Sequence, residues 1–153
     1  MSVGRICQRD VDLAAVDESV CQAAERMHQR SVGSLVIVDQ ARLPVGIVTD
    51  RDLVLRVVAL GRDAHETTVG EVMTPWPKTV SDETPIDWAL SLMRSGAFRR
   101  LPVVDSHGKL TGIVTLDDIL LLLTDELTQV GGLVQRETPQ AAASFAGNVS
   151  SRR

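Results

Sequence analysis

The sequence predicts an α+β protein: tandem β-α-β-β-α repeats packed through their sheets into one pseudo-twofold module. Three observations carry that prediction. The chain matches itself without gaps at an offset of 66, residues 3–55 pairing with 69–121, and 13 of those 53 pairs are identical. An apolar helical period recurs at the same place in each half. The strand ending Gly46-Ile47-Val48-Thr49 returns as Gly112-Ile113-Val114-Thr115, each with an Asp three residues beyond its Thr, at Asp52 and Asp118. Two copies are too few for a solenoid. One unit alone leaves a sheet face uncovered, so packing two together closes the core.

The elements follow in order. Val20, Ala23, Ala24 and Met27 fall at i, i+3, i+4 and i+7, one face of a helix, and Ile86, Ala89, Leu90 and Met93 repeat the phase. Ser19-x-x-Gln22 and Thr84-Pro85-x-Asp87 supply N-caps, the second with a proline where a helix tolerates it best. The apolar runs Leu35–Val38 and Leu101–Val104 read as strands buried on both faces. After the turns DQARLP and DSHGKL, Val45–Val48 and Gly112–Val114 make the second strand of a hairpin. Asp52–Leu60 and Asp118–Leu127 read as helices, the first stopped by Gly61.

The organisation expected is a first repeat over 3–60, a linker over 61–68, a second repeat over 69–127, and a helix end and tail over 128–153. Gly131-Gly132 should weaken any extension of the last helix. The Ala/Ser-rich tail beyond Val134 is expected to be disordered. Trp76, between Pro75 and Pro77, is expected in a rigid extended connection that it anchors. Trp88, beside Ala89, is expected to pack.

Composition narrows the function. At 44% hydrophobic and 24% charged, the chain reads as a soluble globular protein. Its formal charge of −4 gives nucleic acid or anionic membrane no general attraction. No run approaches the ~18 apolar residues of a membrane span. MSVGRICQRD lacks an apolar signal core, so a cytoplasmic location is expected. Cys7 and Cys21 have no CxxC spacing and read as reduced, buried thiols. His28, His65 and His107 match no metal-ligand spacing. Asp50-x-Asp52 faintly resembles a phosphatase nucleophile pair, but Leu116 breaks it in the second repeat. With no Ser-His-Asp set or P-loop, no catalytic role is expected.

The repeated Thr-x-x-Asp admits two readings. As a capping box, Thr accepts a helix N–H while Asp reaches back, and each cap is worth about 1 kcal/mol. As a ligand group, an ionised carboxylate offers two acceptor oxygens to the two adjacent donors of a ribose diol. The two readings are compatible.

VGEVMT before the second repeat, the strand RRLPVVD, and the G-h-h-T-x-x-D ending in both halves resemble a CBS-domain pair, the Bateman module, over about residues 3–124. The resemblance implies a non-catalytic regulator that binds AMP, ADP, ATP or S-adenosylmethionine between its repeats and acts on an attached or partner protein. It implies a homodimer, which the apolar Leu120–Leu123 also suggests. The preferred second-repeat site comprises Thr79, Val80, Arg99, Arg100, Leu101, Pro102, Thr115 and Asp118. By resemblance to the gamma subunit of AMP-activated protein kinase, Arg99 and Arg100 would meet phosphates. Thr79 and Val80 would line the base, with Leu101 and Pro102 as its apolar slot. The weaker first-repeat site comprises Leu13, Ala14, Gly33, Ser34, Leu35, Thr49, Arg51 and Asp52, and it carries no basic pair. A dimerisation scaffold with vestigial pockets is the alternative.

Overall fold

The computed structural model describes residues 1–137; of the tail expected to be disordered beyond Val134, residues 135–137 are helical and 138–153 lie outside the described residues. Contacts divide the chain into a body, Met1–Ile119, and a second unit beginning at Leu120. The body holds seven strands. The first half folds as β1 (Leu13–Ala14), α1 (Val20–Arg30), β2 (Ser34–Val38), β3 (Pro44–Thr49) and α2 (Asp50–Leu53). The second half opens with α3 (Val69–Val72) and β4 (Thr74–Pro75), then runs β5 (Val80–Ser81), α4 (Ile86–Gly96), β6 (Arg100–Val104), β7 (Leu110–Thr115) and α5 (Leu116–Glu137). The two sheets run β1-β2-β3-β4 and β5-β6-β7, with the short first strand parallel and the hairpin antiparallel in each.

Period-two alternation sorts the side chains. Leu35, Ile37 and Val48 enter a core with Val20, Ala23 and Met27 of α1. Val36, between them in sequence, points the other way and packs with Leu110 and Ile113 of the second repeat. The repeats are therefore joined through their sheet faces, as the uncovered face required. Val36 is completely buried there, and burying such a side chain stabilises by roughly 1.5–3 kcal/mol.

The halves also exchange their opening segments. Val3 and Gly4 donate from backbone N–H to the Thr84 and Asp82 carbonyls, while Val69 and Gly70 donate to those of Glu18 and Val16. Met1 O accepts from the first N–H of α4, and Thr67 O accepts from that of α1. Gln8 pairs with Ile113 at the edge of β7, and Thr74 with Ile47 at the edge of β3. Each carbonyl partner and each contact is related to its counterpart by the offset of 66.

Gly46 and Gly112 explain their own presence twice over. A β-carbon on Gly112 would stand 2.9 Å from Gln8 O and 3.2 Å from Cys7 Sγ. On Gly46 it would meet the side chain of Met73, the residue that corresponds to Cys7. The crossing segment needs a bare backbone beneath it.

Five expectations are corrected or refined. Thr84 does not cap α4: its hydroxyl accepts from Ser81 N at 3.0 Å, Pro85 stands at the N-cap, and Met1 O serves the helix instead. The helix after β3 passes into a π turn over Val54–Val58 before Gly61, at φ 64°, ends it. Trp76 is not extended but left-handed, at φ 51°, because its N–H turns to donate to Val45 O. Neither tryptophan packs: Trp76 is 76% and Trp88 60% exposed. Finally, α5 runs through Gly131-Gly132 to Glu137. On it Leu120, Leu123, Leu127 and Val130, at alternating spacings of three and four, are all exposed.

Candidate functional site

Both Thr-x-x-Asp motifs form complete capping boxes. Thr115 N and Oγ1 donate to Asp118 Oδ2 at 2.8 and 2.7 Å, and Asp118 N donates back to Thr115 Oγ1 at 3.1 Å. In the first repeat Thr49 N donates to Asp52 Oδ2 at 2.9 Å and Asp52 N to Thr49 Oγ1 at 3.2 Å. In both repeats Oδ2 closes the cap, which leaves Oδ1 to face outward.

The two outward oxygens meet different partners. Asp118 Oδ1 accepts from Gln8 Nε2 at 3.0 Å, from the segment that crosses over from the first half. Asp52 Oδ1 lies 3.3 Å from Arg56 Nη2. The same guanidinium donates to Val72 O and to Thr74 Oγ1. Asp52 is thus held by a cation with several attachments, and Asp118 by one neutral amide.

The strand register decides which candidate residues meet. Arg100 is paired with Thr115, and Pro102 with Ile113. Ile113 packs across to Val36, so this face of β6 looks toward the first repeat. Ser34 and Thr49 are paired on the equivalent face of the first sheet. Arg100 spans the gap. A β-carbon on Gly33 would stand 3.3 Å from Arg100 Nη2 and 3.3 Å from Asp50 Oδ2. The structure therefore brings together Arg100, Pro102, Thr115 and Asp118 with Gly33 and Asp50 of the other half. Alternation puts Thr79 on the side of Pro102, one residue before the Val80–Val103 pair.

Other candidates point elsewhere. Leu35 and Ala14 belong to the helix-side core of the first repeat. Leu101 and Val80 hold the corresponding buried positions in the second. These four offer only backbone to the cleft. Leu13 packs part-buried against Val36. Arg51 is exposed, with no side-chain partner among the described residues.

Arg99 separates from Arg100, as neighbours along an extended chain must. Its Nη2 meets Asp117 Oδ1 at 3.1 Å, an exposed pair worth about 0–1 kcal/mol. Arg99 also borders a cavity of about 480 Å³ on the α4 side, with Leu90, Met93, Arg94, Phe98 and Leu116. That cavity has no carboxylate in its wall to hold a sugar, whereas the inter-sheet cleft has Asp118 and Asp50. Cys7 and Cys21, expected to be buried, are each only half-buried; the Cys7 thiol, against Gly112, is pushed up by burial more than Arg9 draws it down. Among the described residues no group of His, Cys, Asp and Glu could hold a metal ion, and no helix is long and apolar enough to cross a membrane.

Gln8 and Asp50 are the cleft residues that sequence reasoning missed. Gln8 aligns with Thr74 and belongs to no motif. The signal for Asp50 was its place beside Thr49, in the position that Leu116 takes in the second repeat.

Comparison with known proteins agrees with this geometry. A protein of Methanopyrus kandleri is 40% identical over 120 residues, 78% of this chain, and the chain spans 61% of that relative's length. The CBS domain pair of protein MJ0100, solved in complex with 5′-methylthioadenosine and S-adenosylmethionine, superposes with a TM-score of 0.74 at 28% identity, covering 82% of this chain and 98% of its own. CBSX2 in complex with AMP gives a TM-score of 0.71 at 29% identity, covering 81% and 97%. The CBS domain model matches residues 3–59 and again 69–125. Two complete matches, joined face to face through their sheets, make this chain a member of the CBS domain family with a tandem pair of its domains.

Proposed function

We propose that the chain is a non-catalytic sensor of an adenosine-containing ligand, AMP, ADP, ATP or S-adenosylmethionine, bound between its repeats. The observation that carries this reading is the Arg100–Thr115 register, which sets the guanidinium's strand beside the Thr115–Asp118 box while its Nη2 reaches Gly33 of the other repeat. The carboxylate suits a ribose diol and the guanidinium suits a phosphate. That two CBS pairs of closely similar fold are solved with adenosyl compounds supports it. The second-repeat cleft is the preferred site. A ligand that touches both repeats shifts their relative packing by its differential affinity for the two arrangements, and a partner protein reads the shift.

Thermal denaturation with AMP, ATP, S-adenosylmethionine and 5′-methylthioadenosine tests it. A ligand at about 100 times its dissociation constant adds roughly 2.7 kcal/mol to stability. No rise in melting temperature with any of the four would favour the scaffold reading.

The apolar stripe Leu120, Leu123, Leu127 and Val130 supports homodimerisation through α5, since lone exposed stripes of this spacing pair with a like helix. Light scattering should report a dimer, and Leu127→Glu should make it a monomer. A cytoplasmic location is consistent with this role.

A further inference from the structure

We propose that Gln8 is an internal competitor for the ribose position on Asp118, and that Arg56 keeps the equivalent position on Asp52 shut, so that the chain takes its ligand at one site. This rests on Asp118 being the ribose acceptor of the proposed sensor.

A carboxylate has two oxygens to give. In Asp118 one is saturated by the cap, with the Thr115 N–H at 2.8 Å and its hydroxyl at 2.7 Å. The other is occupied by Gln8 Nε2 at 3.0 Å. A ribose diol that engages Asp118 through Oδ1 therefore competes with that amide for the one outward oxygen. The exchange is one neutral hydrogen bond for another, and Gln8 is exposed, so the released amide finds water. Its backbone stays docked, because Gln8 N and O remain bonded to Ile113 O and N at 2.9 Å. The side chain moves while the segment holds.

Asp52 presents a different obstacle. Its outward oxygen faces a guanidinium that is also fixed to Val72 O and Thr74 Oγ1. Its side chain is 17% exposed. An incoming hydroxyl would compete there with a charged donor, whose bonds are roughly twice as strong as neutral ones. The offset of 66 pairs Arg56 with Leu122 and Gln8 with Thr74, so neither guard is duplicated. The asymmetry of the two sites is built from residues outside the repeated motif.

Calorimetric titration of the full chain with AMP and with 5′-methylthioadenosine tests this. Wild type should bind one equivalent per chain. Gln8→Ala should tighten both ligands about two- to tenfold, the range of one neutral hydrogen bond, at unchanged stoichiometry. Gln8→Met, equal in length but without a donor, should do the same and guards against a packing effect of truncation. Unchanged or weaker binding in both variants overturns the competitor. Two equivalents per wild-type chain overturn the closed first site. If neither compound, nor ATP or S-adenosylmethionine, binds wild type or either variant, the sensor reading itself fails and this proposal falls with it. Binding to wild type that is indifferent to Gln8 sinks the proposal alone.

Discussion

Gln8 and Asp118 are 110 positions apart in the chain, yet the amide of one donates to the carboxylate of the other at 3.0 Å. The contact exists because the first repeat's opening segment is docked on the second repeat's sheet edge. It makes Asp118 at once a cap and an anchor for a crossing segment, at the position proposed for the ligand's ribose.

These roles separate by mutation. Asp118→Ala should abolish binding of AMP and 5′-methylthioadenosine while lowering stability by about 1 kcal/mol, the worth of a cap. Asp52→Ala should cost a similar amount of stability and leave binding within a factor of two, roughly the scatter of a minor contact. Titration calorimetry and urea denaturation read both effects. Equal loss of binding in the two variants would show that the sites are wrongly ranked.

Under the proposed function, Arg100 and Asp50 set the preference for phosphate. The Arg100 guanidinium, from Asp118's own repeat, and the Asp50 carboxylate, from the other, both lie against Gly33. Arg100→Ala should weaken AMP at least tenfold, as expected for loss of a charge-assisted bond of about 1.5–3 kcal/mol. It should leave 5′-methylthioadenosine, which has no phosphate, nearly unchanged. Asp50→Asn should shift the ratio the other way, by removing an anion from beside the phosphate position. A parallel loss for both ligands in Arg100→Ala would mean that the guanidinium shapes the cleft rather than reading phosphate.

The two repeat glycines should respond unequally to a methyl group. In Gly112→Ala the new carbon meets backbone at Gln8, which cannot yield without lifting the segment from β7. In Gly46→Ala it meets the thioether of Met73, a flexible side chain that can rotate aside. Overpacking of this kind costs about 1–3 kcal/mol, and Gly112→Ala should fall at the upper end. Denaturation midpoints of the two variants decide it, and a larger loss in Gly46→Ala would contradict the exchange geometry.

Acid should loosen two local structures. The Thr68 N–H and hydroxyl, then Arg62, hold Glu71 below the usual carboxylate range, and the Lys109 and His107 N–H groups do the same for Asp105 in its hairpin. A carboxyl whose folded pKa is depressed stabilises the fold above its unfolded value and loses that contribution as pH falls through the folded one. Stability should therefore decline below about pH 4 and be flat in these groups above it. Glu71→Gln and Asp105→Asn should each shrink the acid-side slope of stability against pH, measured by urea denaturation. An unchanged slope would assign the acid sensitivity elsewhere.

The fold was legible where its causes are local. Val20, Ala23 and Met27 announce α1 by spacing alone, and the Ser19–Gln22 box closes it with both bonds in place. The buried Leu35–Val38 run likewise needed no partner to be recognised. What stayed hidden was long-range. Nothing near Gln8 says that it lies beside Ile113, and nothing near Arg56 says that it grips Val72. Strand alternation, visible in the sequence once the strand bounds are known, would have parted Arg99 from Arg100. Trp76 misled because a residue before proline favours extended backbone, whereas here a hydrogen bond to Val45 O overrides that bias. For the helical run through Gly131-Gly132 no atom of another element among the described residues lies close enough to supply a reason.

The reciprocal docking of residues 3–8 and 69–76 changes what a break in the chain would do. A protease nick at the exposed, left-handed Gly61 would sever the covalent link without releasing either piece. Each fragment would still carry the edge of the other's sheet and the first hydrogen bond of the other's helix. Separation would require both segments to peel away together, so the nicked protein would persist as an interlocked heterodimer. The same interlock makes the tandem the single-chain form of two units that clasp one another.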